Sequence, residues 1–81
     1  MDEQIKDWLI NWFKENTDLN IEDINPNDNY LEKEWIDSLK FIWLITEIEE
    51  HFQIEFSNDD FEDRNFSTIK GLTQRILQLK G

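Results

Sequence analysis

Trp35-Ile36-Asp37-Ser38-Leu39 stands at the start of a strongly apolar segment that continues to Phe52. Apolar residues recur in that segment at three- and four-residue intervals, which predicts one amphipathic helix from Ser38 to Phe52. A helix N-terminus offers unpaired N–H groups and the positive end of the helix dipole, so a phosphate ester on a first-turn serine would be stabilised there. Ser38 is therefore a candidate attachment point. The predicted core-facing residues are Phe41, Ile45, Ile48 and Phe52, with Leu39, Ile42 and Leu44 widening the face.

Two further amphipathic helices flank this one. The first is predicted from Glu3 to about Glu15, because five large apolar side chains repeat there at helical spacing: Ile5, Trp8, Leu9, Trp12 and Phe13. The last is predicted to follow Ser67, which we expect to cap it, and its apolar seam consists of Ile69, Leu72, Ile76 and Leu79. Gly71 weakens that helix by about 1 kcal/mol relative to alanine, so we expect the glycine to allow a close contact.

The connections between the helices are unequal in length. Residues Thr17 to Asp37 contain Pro26 and several Asn and Asp residues, which predicts a long loop. Its expected anchors to the core are Leu19, Ile21, Ile24, Tyr30 and Leu31. Ser57 to Asp60 predicts a cap before a short helical turn over Phe61 to Arg64. No strand-like alternation occurs, so the chain is predicted to be all-α.

Size and composition limit the function classes. The 81 residues are expected to form a single domain, 1–81, with a modest core. A net charge of −11 argues against nucleic-acid binding and favours partners with basic surfaces. No apolar stretch is long enough to cross a bilayer, and Met1-Asp2-Glu3 is acidic where a secretory signal would be basic, so we expect a cytoplasmic protein without membrane insertion.

Few residues of the chain are candidates for catalysis or metal binding. The chain contains no cysteine, so it has no disulfide, no thiolate metal site and no thiol of its own. His51 is the only histidine, and we expect it to interact with the C-terminal dipole of its helix. Neither a zinc site nor a Cys-His nucleophile can be assembled from this set. We therefore expect no catalytic residue and no metal.

Ile36-Asp37-Ser38-Leu39 reproduces the (L/I)-D-S-L signature of acyl carrier proteins, and the chain resembles that family over most of its length. The acidic end of the central helix, Glu49-Glu50-His51-Phe52, and the entry to the last helix, Phe66-Ser67-Thr68-Ile69, follow the family's order and spacing. The resemblance implies a small up-down four-helix bundle with a long first loop and a short third helix. It also implies a carrier rather than an enzyme.

The resemblance further implies a covalent 4′-phosphopantetheine arm, taken from coenzyme A, on the hydroxyl of Ser38. Asp37 would belong to the segment that the phosphopantetheinyl transferase recognises. The other partners would be enzymes with basic docking surfaces that load, elongate or transfer acyl or aminoacyl groups in fatty acid, polyketide or related biosynthesis, and the carrier alone would be a monomer. The expected partner-binding residues are Leu39, Lys40, Trp43, Glu47 and Glu50.

Each of these residues also has a purely structural interpretation. Ser38 could be an ordinary helix cap, and Asp37 a first-turn acid that complements the dipole. The acids of the central helix and of the segment after it could be a solvated surface, although as a set they would raise association rates; they are Glu47, Glu49, Glu50, Asp59, Asp60, Glu62 and Asp63.

The chain departs from the family pattern at several positions. Glu34 and Trp35 stand where many members have glycine, so the turn into the central helix is expected to be stiffer. Lys40 and Trp43 stand where the family commonly has acidic or small polar residues, a change that would alter partner choice. We expect Trp43 to be partly buried, because the apolar run around it is too wide for one stripe. The alternative is an exposed contact for one dedicated enzyme.

Two other functions remain open. Asp23, Asn25, Asn27 and Glu34 occupy the first, third, fifth and twelfth positions of an EF-hand-like calcium loop, which is a partial match because Asp28 stands where that loop needs glycine. The third possibility is an unmodified interaction bundle that has lost the arm.

Overall fold

The computed structural model describes the backbone of residues 2–80 and the side chains of residues 3–80. This part of the chain contains four α-helices. They are α1 (Asp2–Asn16), α2 (Ser38–Phe52), α3 (Asn58–Glu62) and α4 (Ile69–Lys80). Two 3₁₀ turns, Ile21–Asp23 and Arg64–Ser67, lie in the connections. No strand forms within residues 2–80, where the β-type pairing is a single antiparallel bridge between Asn29 and Thr68. The predicted all-α bundle is confirmed.

The core lies where α1, α2 and α4 face one another. Each of these helices contributes side chains that are wholly inaccessible to solvent, and burial of such a side chain stabilises the fold by about 1.5–3 kcal/mol. The fully buried residues are Leu9, Phe13, Tyr30, Leu44, Ile48, Ile69, Leu72 and Ile76. Tyr30 comes from the long loop, so the loop is part of the core.

Backbone and side-chain hydrogen bonds fasten the long loop to the start of α4. The Tyr30 hydroxyl donates to the carbonyl oxygen of Phe66 at 2.6 Å, and its backbone N–H donates to that of Ser67 at 3.0 Å. Burial raises the pKa of the Tyr30 phenol above its usual value. The Lys70 N–H donates to the carbonyl of Pro26 at 3.0 Å. One predicted anchor was wrong: Ile21 is 56% exposed, because the 3₁₀ turn that begins with it buries none of its residues.

The start of α4 departs by one residue from the prediction. Thr68, not Ser67, caps the helix, since the Thr68 hydroxyl oxygen accepts from the Gly71 N–H at 2.9 Å. The close contact predicted for Gly71 is confirmed: a Cβ there would lie 2.5 Å from the carbonyl carbon of Asn65 and closer still to its oxygen. The Arg64–Ser67 turn therefore packs directly on the backbone of α4.

The short third helix begins earlier than the sequence indicates. A turn over Phe61 to Arg64 was predicted, but α3 spans Asn58–Glu62. Its start is set by Asp60, whose Oδ2 accepts from the backbone N–H of Ser57 at 2.9 Å and from the Ser57 hydroxyl at 3.2 Å. These bonds close the first turn directly after Ser57.

Candidate functional site

Ser38 is the first residue of α2, and its side chain is exposed. The residue that caps the helix is Asp37: its Oδ1 accepts from the Lys40 N–H at 2.9 Å, and its carbonyl accepts from the Phe41 N–H at 2.9 Å. The interpretation of Ser38 as the cap was therefore wrong. Within residues 2–80 no hydrogen bond engages the Ser38 hydroxyl. The structure leaves this hydroxyl accessible at the positive end of the helix dipole, where a phosphate ester is favoured.

An open depression of about 510 Å³ lies beside Ser38. Its lining combines residues at the end of the long loop with the first residue of α2: Leu31, Glu34, Ile36, Asp37 and Ser38. Leu31 is half-buried and Ile36 is buried, whereas both acidic side chains are exposed. The depression therefore has apolar walls and an acidic rim.

Glu34 adopts a left-handed backbone conformation with φ of 59°. For a residue other than glycine this conformation costs roughly 1–2 kcal/mol. Two hydrogen bonds hold it: the Glu34 N–H donates to the carbonyl of Leu31 at 3.1 Å, and the Trp35 N–H donates to that of Tyr30 at 3.0 Å. The sequence showed that Glu34 stands near a glycine position of the resembling family, but it did not show that the backbone there has positive φ.

The exposed side of α2 is more apolar than predicted. Leu39 is 78% exposed, Ile42 is 61% exposed and Trp43 is 46% exposed. The prediction that Leu39 and Ile42 widen the core face was wrong, because the core face runs through Leu44 and Ile48. Trp43 is partly buried, as predicted. Trp43 packs edge-on against Trp12 at 5.7 Å between ring centroids.

Two of the residues expected to bind partners are engaged by α1. The Lys40 ammonium donates to the carbonyl oxygen of Asn16, the last residue of α1, at 2.7 Å. A cation at that place satisfies a terminal carbonyl and complements the negative end of the dipole. Glu47 accepts a hydrogen bond from the indole N–H of Trp12. Glu50, by contrast, is exposed.

The acidic surface is smaller than the sequence indicates. Glu49 turns back to accept from the Phe56 N–H at 2.9 Å. Asp60 is buried, with its Oδ1 2.7 Å from Nε of Arg75. Burial opposes ionisation of Asp60, but the hydrogen bonds from Ser57 and the contact with Arg75 outweigh it, so the pKa is lowered from its usual value. Asp60 therefore belongs to the fold and not to the exposed acidic surface. The exposed acids of α3 and its flanks are Asp59, Glu62 and Asp63.

The remaining polar candidates show local contacts. His51 lies in the last turn of α2, and its ring stacks on Trp8 at 4.9 Å. In the EF-hand-like segment, Asn25 Oδ1 accepts from the Asn27 N–H at 2.9 Å, and Glu34 lines the Ser38 depression. Within the described part of the chain no three His, Cys, Asp or Glu residues are grouped to hold a metal ion. None of its helices is long and apolar enough to cross a membrane.

Comparison with known proteins gives one positive result. No curated protein and no solved structure matches the chain significantly. A family model described as "Phosphopantetheine attachment site" matches residues 7–76. The matched segment includes Ser38, all of α2 and α3, and most of α1 and α4.

Proposed function

The chain belongs to the phosphopantetheine attachment-site family, and from this premise we propose that Ser38 is the residue that carries the 4′-phosphopantetheine arm. One observation supports the assignment above the others. The Ser38 hydroxyl is exposed, free of internal hydrogen bonds within residues 2–80 and next to an open depression. Of the other two serines, Ser57 caps α3 and Ser67 lies in the 3₁₀ turn that packs on α4.

Attachment replaces the hydroxyl proton of Ser38 with the phosphopantetheine part of coenzyme A and releases 3′,5′-ADP. When bound, the arm supplies a thiol on which acyl groups are held as thioesters, a group that the cysteine-free polypeptide lacks. Asp37 fixes the backbone of the first turn through its bond to Lys40, so the hydroxyl is presented from a rigid helix start. We assign Asp37 a second role in recognition by the transferase.

The proposed biological role is that of a non-catalytic cytoplasmic carrier, a single domain and a monomer on its own. It delivers acyl or aminoacyl groups between enzymes of fatty acid, polyketide or related biosynthesis. The net charge of −11 favours basic partner surfaces and raises rates of encounter with them. Leu39, Trp43 and Glu50 are the proposed direct contacts because they are exposed on α2. Lys40 and Glu47 would contribute from positions that α1 holds.

The test is intact mass after incubation with coenzyme A, magnesium and a broad-specificity phosphopantetheinyl transferase. We expect one phosphopantetheine on the wild type, none on Ser38→Ala, and one on the matched control Ser67→Ala. Addition to Ser38→Ala would move the attachment point elsewhere. A folded wild-type sample that no transferase modifies would contradict the carrier function and favour an unmodified interaction bundle.

A further inference from the structure

The depression beside Ser38 points to a second role for the loop residues that line it. We infer that it is a resting site for the pantetheine arm, which lies against Leu31, Glu34 and Ile36 when no partner enzyme holds it. This inference rests on the proposed attachment to Ser38. It assigns to the long loop a binding function that is separate from docking of enzymes on α2.

The chemistry of the lining matches that of the arm. Pantetheine has a pair of methyl groups on one carbon, then a hydroxyl, then two amides. The half-buried side chain of Leu31 offers apolar surface that suits the methyl groups, whereas Ile36 lines the depression but is only 4% exposed. The Glu34 carboxylate is exposed and forms no hydrogen bond or ion pair within the described residues, so it is available to accept from a hydroxyl or an amide N–H. Ser38 itself lines the depression, so the arm begins there.

The walls of the depression are fixed before any arm arrives. The Asn29 side-chain oxygen accepts from the backbone N–H groups of Leu31 and Glu32, both at 3.0 Å. The Lys33 N–H donates to the carbonyl of Asn29 at 3.0 Å, which closes the same turn. A site whose residues are already ordered loses less entropy on binding. The loop is therefore suited to hold a flexible chain weakly and release it.

The backbone conformation of Glu34 also favours a role for this residue at the depression. Its left-handed backbone is strained, and glycine would remove that strain. Strained residues cluster at functional sites, and here the side chain that causes the strain lines the depression at Ser38. Contact between the Glu34 carboxylate and the arm accounts for a glutamate at a backbone position that favours glycine.

The space between α2 and α3 is less accessible. Phe61 of α3 packs edge-on against Phe41 of α2 at 6.2 Å and against Phe66 at 5.2 Å. Phe41 and Phe66 also meet edge-on at 6.1 Å. An arm entering there would displace packed rings, whereas the depression on the loop side is already open.

The experiment loads the isotope-labelled, methyl-protonated protein with unlabelled arm, verifies loading by intact mass, and records nuclear Overhauser contacts from the paired methyl groups of the arm. We expect contacts to the methyls of Leu31 and Ile36. Leu31→Ser should abolish the contacts of the arm with this site, including the contact to Ile36. The matched control is Ile42→Ser, one turn beyond Ser38 on the exposed side of α2, which should retain the contacts to Leu31 and Ile36. Glu34→Gln should shift the amide resonances of an isotope-labelled arm, and the control Glu32→Gln should leave them unchanged.

Attachment at Ser38 and the resting site are distinguished by different outcomes. Absence of a mass increase would overturn the attachment to Ser38 together with the resting site. A loaded protein whose arm contacts Ile42 and Phe61, or contacts no protein methyl at all, would overturn the resting site alone. If Leu31→Ser does not fold, the wild-type contacts and the Glu34→Gln comparison decide the question.

Discussion

Replacement of Gly71 by alanine should destabilise the protein, although helix propensity alone predicts the opposite. In an exposed helix the change would stabilise by about 1 kcal/mol. Here the added Cβ would lie 2.5 Å from the carbonyl carbon of Asn65, whereas comfortable carbon–carbon contacts begin at about 3.5 Å. The neighbour is backbone, so it cannot rotate away. The 3₁₀ turn Arg64–Ser67 must therefore retreat from α4 by at least about 1 Å, because the carbonyl oxygen of Asn65 would lie closer still.

This movement would displace the two carbonyl groups that accept hydrogen bonds from Tyr30. The 2.6 Å bond from the Tyr30 hydroxyl to Phe66 and the 3.0 Å bond from its N–H to Ser67 would both lengthen. Each hydrogen bond contributes about 1 kcal/mol net, and a buried phenol left without a partner costs about 1–3 kcal/mol. The cost of the unpaired phenol includes its own lost bond, so after subtraction of the gain in helix propensity the expected loss is about 1–3 kcal/mol. For a domain of this size such a loss lowers Tm by roughly 5–25 °C.

Urea unfolding followed by helical circular dichroism measures this difference. Gln74→Ala is the matched control, because Gln74 is exposed on the same helix and the change should alter the free energy of unfolding by less than about 0.5 kcal/mol. A Gly71→Ala variant that is as stable as the wild type, or more stable by about 1 kcal/mol, would refute the close approach of the turn to α4.

Three further outcomes are expected. Asp60→Asn should destabilise the protein by about 1–3 kcal/mol at pH 7 because it removes the charge that faces Arg75. Since the pKa of Asp60 is lowered on folding, the stability that its charge contributes is complete above the unfolded-state pKa of about 4 and is lost as pH falls through the folded-state pKa. The urea unfolding curves of the two proteins should therefore converge in acid. Glu34→Gly should raise the free energy of unfolding, measured by urea titration, by about 1 kcal/mol because it relieves the strain of the left-handed backbone. An equal gain in the control Glu32→Gly would contradict that cause. Asp37→Asn should preserve the helix cap, whereas Asp37→Ala should lower the free energy of unfolding by about 1 kcal/mol. If the transferase recognises the charge of Asp37, the rate at which the arm is added should fall in both variants. An unchanged rate in Asp37→Asn would limit the residue to capping.

Periodicity predicted the helices because their apolar faces are local properties of the sequence. The bounds of α2, Ser38–Phe52, were correct since a capping residue and a wide apolar stripe coincide there. The same local information failed for Ile42, which is exposed. A run of five consecutive apolar residues covers more than one face, and which edge is buried depends on where α1 and α4 lie.

The errors at polar residues have a related cause. The partner of Asp60 is Arg75, fifteen positions away, and nothing in a run of acids indicates that one of them points inward. Ser67 and Thr68 are adjacent hydroxyl residues of similar capping preference, so sequence could not choose between them. At the candidate site, the signature led to the proposal of Asp37 and Ser38, but the depression beside them is lined by Glu34, whose positive φ no residue preference predicts.

Contacts with α1 also determine how the docking surface can be tested. Lys40 and Glu47 each join α2 to α1, through the carbonyl of Asn16 and the indole of Trp12. A charge change at either residue alters the packing of two helices as well as any contact with a partner enzyme. Glu50 is exposed and makes no ion pair within the described chain. A Glu50→Lys substitution should therefore leave stability within about 0.5 kcal/mol, and a slower association with a basic partner in that variant would report on docking alone.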